Sequence, residues 1–280
     1  MIESLRAGAV RGLVEARQTL TTGQDLWGYF FPALGLLITV YFTGNTTVPG
    51  TSFSLGAAIL PSSLGMLLAF GGLLTIAQIL VVEREDGTLL RAKATPNGMN
   101  GYLIGKVISV GGMTLFSVLA VLIPGLFLVD GIDVGLDGVL TLVWLFPLAV
   151  VATMPIGAAI GSSFENPRNL GFVMMPVFGL VAISGIFYPI TGMPGWLQAV
   201  AQVFPIYWLG LGMRSVFLPD ALASVELGDS WRHLETFGVL ALWAVLGLLV
   251  APVLMRRMAR RESGSAVAAR RERALTTVGR

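Results

Sequence analysis

The chain has 280 residues, 55% of them hydrophobic, 12% charged and none cysteine, and its mean hydropathy is +0.80. Such a polypeptide has hydrocarbon rather than water as its main solvent, and the lack of cysteine excludes disulfides, iron–sulfur centres and thiol nucleophiles. The net charge of +2, with basic residues placed where apolar runs stop, argues against a nucleic-acid partner.

From the start, Ile2, Leu5, Ala9, Leu13, Ala16 and Leu20 recur at steps of three and four, while Glu3, Arg11, Glu15 and Gln18 fall elsewhere on the wheel. This pattern predicts an interfacial amphipathic helix within residues 1–24. Because Glu3, Arg6, Arg11, Glu15 and Arg17 interrupt any signal-like apolar core, the mature chain is expected to start at Met1.

Charge-free runs follow. No Asp, Glu, Lys, Arg or His lies between Asp25 and Glu83, Lys106 and Asp130, Asp137 and Glu165, Arg168 and Arg214, or Glu235 and Arg256. A charge at mid-bilayer costs roughly 2.5 to 3.5 kcal/mol on insertion scales, enough to account for the exclusion. About 20 apolar residues cross a bilayer as a helix. The runs therefore predict an all-α membrane protein with six spans within residues 25–255: Leu26 to Thr43, Leu55 to Val82, Tyr102 to Val129, Gly138 to Ser162, Asn169 to Tyr188 and Phe237 to Met255.

The first two are joined by a turn at Asn45-Thr46-Thr47-Val48-Pro49-Gly50. Residues 189–219, broken by Pro189, Pro194, Pro205 and Pro219, are too short for two more spans and predict a helical hairpin re-entering the outer leaflet. Arg6, Arg11, Arg17, Arg84, Arg91, Lys93, Lys106, Arg168 and the tail arginines share one face, with only Arg214 and Arg232 opposite. The positive-inside rule then puts both termini in the cytoplasm, with the basic tail of residues 256–280 on anionic lipid headgroups.

Catalytic chemistry finds little support. No ionisable residue lies deep in a predicted span, and Lys106, at the start of the third, is expected to snorkel to the headgroups. Ser184 has no base within reach, since the one histidine, His233, lies outside every span, and no set of metal ligands is visible. Gly105-Lys106 is followed by Val107 and lacks the preceding glycine of a nucleotide-binding loop.

The most distinctive polar stretch runs from Glu83 to Pro96: Glu-Arg-Glu-Asp-Gly-Thr-Leu-Leu-Arg-Ala-Lys-Ala-Thr-Pro. A span ends, turns at Gly87, and a short helix stops at Thr95-Pro96. This segment resembles the Glu-Arg-Glu-x-Gly-Thr-Leu signature after the second span in permeases of the type 2 ABC exporter family, which includes antibiotic and daunorubicin-type drug exporters. Phe164-Glu165-Asn166-Pro167, Met193-Pro194-Gly195-Trp196-Leu197-Gln198 and Pro205-Ile206-Tyr207 fit the same pattern, which departs at Leu90 and Phe204.

The resemblance implies an ATP-driven exporter subunit without its own ATPase site, paired with a second copy of itself or a homologous permease. It would dock an ABC ATP-binding subunit that carries ATP and magnesium, with no cofactor on this chain. The coupling segment, residues 83–100, would act through Glu83, Arg84, Glu85, Gly87, Thr88, Leu89, Arg91, Thr95 and Pro96. By the same analogy an amphipathic substrate (drug, antibiotic or lipid) would pass beside the second and fifth spans, along Met66, Phe70, Phe172, Met174, Met175 and Phe178. Alternatives are a polysaccharide or glycolipid exporter on the same scaffold and a membrane assembly or sensor protein that transports nothing.

Overall fold

The computed structural model describes residues 2–44, 46–47, 54–95, 98–129, 132, 134–163 and 170–261. Ten α-helices make up the described chain: α1 (Ile2–Thr21), α2 (Gly23–Gly44), α3 (Leu55–Glu85), α4 (Thr88–Lys93), α5 (Gly98–Leu128), α6 (Leu136–Ser163), α7 (Leu170–Ile183), α8 (Gly195–Val203), α9 (Pro205–Phe217) and α10 (His233–Arg261). Five of them (α2, α3, α5, α6 and α10) are long and apolar enough to cross a membrane. They coincide closely with five of the predicted spans, most ends lying near the edges of charge gaps and the break between α2 and α3 lying inside one. The expected fifth span is represented by α7, whose 14 residues stop at Ile183.

α3 begins where Ser54 accepts a hydrogen bond from the amide of Ala57 at 3.4 Å, and its Oγ in turn reaches the Gly44 carbonyl at 2.7 Å, closing the turn after α2. Of the five long helices α3 is the most enclosed and α2 the most exposed. α3 packs against α6 through Gly157 and Gly161, where a β-carbon would strike the α3 backbone. α1 lies on α5 through two facing glycine pairs. A β-carbon at Gly8 would stand 2.6 Å from the Gly101 carbonyl, and one at Gly12 would stand 2.5 Å from that of Gly105. The apolar stripe of α1 (Leu5, Leu13, Leu20) is left exposed.

The core has two parts. One, including Leu64, Leu68, Leu145, Ile206 and Leu209, gathers α3, α6, α9 and α10 at the end that carries α8 and α9, the hairpin end. The other, including Ile76, Leu80, Leu89, Tyr102 and Met154, lies at the opposite end beside α1 and α4, the elbow end. α9 starts with Pro205 at its first position, where a missing N–H costs nothing, and twelve of its residues are buried. The predicted hairpin is therefore two short helices, the second enclosed by protein on its way between α3, α6 and α10.

Candidate functional site

At the elbow end the structure brings together charges that the sequence left apart. The Lys106 ammonium of α5 is 4% exposed. It donates to Glu15 Oε2 of α1 at 2.8 Å and to Glu83 Oε1 of α3 at 2.6 Å. Tyr102, one turn before Lys106, donates its hydroxyl to Glu83 Oε2 at 2.5 Å. Arg11 closes the group from α1, with Nε 2.9 Å from Glu15 Oε1 and its guanidinium 5.2 Å from the centre of the Tyr102 ring. Burial raises the Glu15 pKa, but hydrogen bonds from Lys106 and Arg11 more than offset this and hold it below its ordinary value.

Lys106 therefore does not snorkel. A buried ammonium needs counter-charges, and two glutamates from neighbouring helices supply them, so the lysine is a junction between three elements. Glu83, the first residue of the predicted coupling segment, points inward to it.

The rest of the predicted coupling segment divides into an anchored and a presented face. Gly87 holds φ at +79°, the left-handed region closed to bulky residues, and the Asp86 carboxylate accepts the Thr88 amide at 2.7 Å. Leu89 and Ala92 are buried in the elbow-end core, and Arg84 is buried too. Arg91 and Lys93 are exposed, with Arg91 Nη2 donating to Thr88 Oγ1 at 2.9 Å. The Thr95 hydroxyl donates to the Ala92 carbonyl at 3.0 Å. Pro96 and the Glu85 side chain lie outside the described residues, as does Phe164-Glu165-Asn166-Pro167.

Of the expected substrate path, Phe70 and Phe178 meet edge to face with ring centres 5.9 Å apart. Met66 and Phe70 are half-buried, whereas Met175 and Phe178 are 74% and 52% exposed. The side chains of Phe172 and Met174 lie outside the described residues.

A second ionic contact sits at the hairpin end. Arg214 of α9, within the predicted hairpin and on the face opposite most basic residues, is 4% exposed. Its Nε donates to Glu226 Oε1 at 2.7 Å, and its Nη1 donates to the carbonyls of Gly185 and Ile186 at 2.9 and 3.1 Å. It ties α9 to the segment that follows α7. Sequence reasoning missed Glu15, Tyr102 and Lys106 as one group. The available signal was the spacing of Tyr102 and Lys106, which puts both on one face of α5.

Five apolar helices of membrane-crossing length among the described residues define a multi-pass membrane protein. The chain belongs to the ABC-2 family of transporter proteins, whose family model matches residues 38–252. It is 25% identical over 176 residues to the probable multidrug ABC transporter permease YbhR of Escherichia coli K12, an alignment covering 62% of this chain and 47% of that protein. The same figures hold for YbhR of Escherichia coli O157:H7. The chain thus spans about half the length of the curated relatives it matches. The family read from the Glu83 to Pro96 segment is the family found.

Proposed function

We propose that this chain is the permease subunit of an ATP-driven exporter of amphipathic substrates, with α1 and α4 at the cytoplasmic surface and α8 and α9 toward the outside. The observation that carries the reading is the junction at Lys106. It links the interfacial helix, the end of α3 and the start of α5 beside the Gly87 turn, so a partner pressing on α4 also loads two long helices. An ABC ATP-binding subunit supplies ATP and magnesium, and meets the exposed Asp86, Arg91 and Lys93. A second copy or a homologous permease covers the exposed Met175 and Phe178, and the substrate moves beside Phe70. The basic tail holds anionic lipid.

The test is co-expression with an ABC ATP-binding subunit, followed by purification and reconstitution. A stable complex that exports an amphiphile only with ATP, while the chain alone hydrolyses none, supports the reading. Robust hydrolysis by the isolated chain would overturn it.

A further inference from the structure

A cavity of about 770 Å³ lies between α1, α2, α3 and α5, away from the Phe70 and Phe178 side. Helix packing creates it. α1 is pinned to α5 by the facing glycines, and α2 is pinned at its far end, where a β-carbon at Gly44 would stand 3.0 Å from the Leu128 carbonyl. Toward the elbow α2 leaves room on one side: a β-carbon at Gly28 meets no atom within 4 Å, while on another side Ser117 of α5 donates to the Tyr29 carbonyl at 3.5 Å. The result is a wedge at the elbow end, lined by the start of α2, the last turns of α3 and the first half of α5.

Its wall is polar well above that end. From Glu83 the α3 side runs back through Gln78 to Thr75, about 12 Å at the helical rise, and Ser109 of α5 and Tyr29 of α2 also line it. Polar groups at that height beside lipid need water or a polar ligand. The wall also carries four carboxylates (Glu15, Asp25, Glu83 and Asp86) against two cationic groups, Arg11 and Lys106. Both cations are already engaged by the glutamates. Asp25, in the first turn of α2, makes no ion pair among the described residues, so a negative potential is left over in the wedge.

We propose that the wedge receives the positively charged headgroup of an amphiphile arriving sideways from the adjoining leaflet, with Asp25 as its counter-charge and the tail remaining in lipid. The inference rests on the export reading and narrows its substrate to cationic amphiphiles. An ammonium head can belong to a resident lipid such as phosphatidylethanolamine or to a foreign amphiphile, and the experiment separates them.

The complex, in phosphatidylglycerol nanodiscs, whose headgroups carry no ammonium, is titrated with diphenylhexatriene bearing a trimethylammonium group, and in parallel with the same fluorophore bearing a propionate. The cationic probe should saturate above its partition into empty discs, and the anionic one should not. Asp25→Asn should weaken the cationic probe roughly fivefold to tenfold. Gly28→Trp, which fills the wedge where its β-carbon meets nothing, should abolish saturation. Displacement by added phosphatidylethanolamine identifies a lipid occupant, and resistance to it a foreign amphiphile. Equal binding of the two probes, or an unchanged affinity in Asp25→Asn, overturns the proposal. Normal export without selective binding sinks this site alone, whereas selective binding without ATP-driven export sinks the export reading and leaves the site.

Discussion

The two ends of the molecule each bury an ion pair, and they bury it differently. At the hairpin end Arg214 and Glu226 are twelve residues apart, both almost wholly enclosed, and the guanidinium is also held by two backbone carbonyls. At the elbow end Lys106 reaches a glutamate 91 residues earlier and another 23 residues earlier, and the group borders an open, polar cavity. A closed local pair can only hold its surroundings together. A shared cation with two competing carboxylates from separate helices, next to space, has somewhere to move. On the export reading proposed above, the hairpin end would serve stability and the elbow end transmission.

Arg214→Ala should break the comparison most severely. It leaves Glu226 in the core without a counter-charge and removes the donors from the Gly185 and Ile186 carbonyls, at a cost of about 3 to 5 kcal/mol. The expected outcome is a large drop in folded yield and in the thermal midpoint of the solubilised protein. An unchanged midpoint would remove the structural role given to the hairpin-end pair.

Gly87→Val should have a smaller effect of a different kind. Holding a residue with a β-carbon at φ near +79° costs roughly 1 to 2 kcal/mol, more for a branched one, and the strain is relieved by re-setting the turn rather than by unfolding. Folded yield should stay close to that of the parent, while ATP-driven export in the reconstituted complex falls sharply. Normal export by Gly87→Val at matched expression would take the turn out of the mechanism.

Much of the architecture was legible because the cost of charge in hydrocarbon is large and leaves a plain record. Most ends of the five long helices fall near the edges of charge gaps, the break between Gly44 and Leu55 being the exception inside one gap, and the proline-broken residues 189–219 hold two short helices, α8 and α9. The contacts were not legible in the same way. Hydropathy gives the depth of Lys106 but not its neighbours, and a lysine at a span end reads as snorkelling unless Glu15 and Glu83 are known to converge on it. Arg214 read only as a charge within the predicted hairpin, on the face opposite most basic residues, and it is the packing of α9 between α3, α6 and α10 that shows it enclosed. The docking of α1 had a signal that went unused. Gly8 and Gly12 on one helix, and Gly101 and Gly105 on another, are each spaced four apart, as close helix crossings require.

The account's central claim is that the contact between Glu83 and Lys106 carries the ATP-driven signal into the long helices. The most direct measurement is the substrate-stimulated ATPase rate of the reconstituted complex for Glu83→Lys, Lys106→Glu and the two together. Each single change leaves like charges facing each other in a buried site, whereas the double change restores one cation among two carboxylates. The account predicts loss of stimulation in both single variants at normal assembly and recovery of a substantial fraction in the double. Single variants that behave like the parent, or a double variant no better than either, would contradict it.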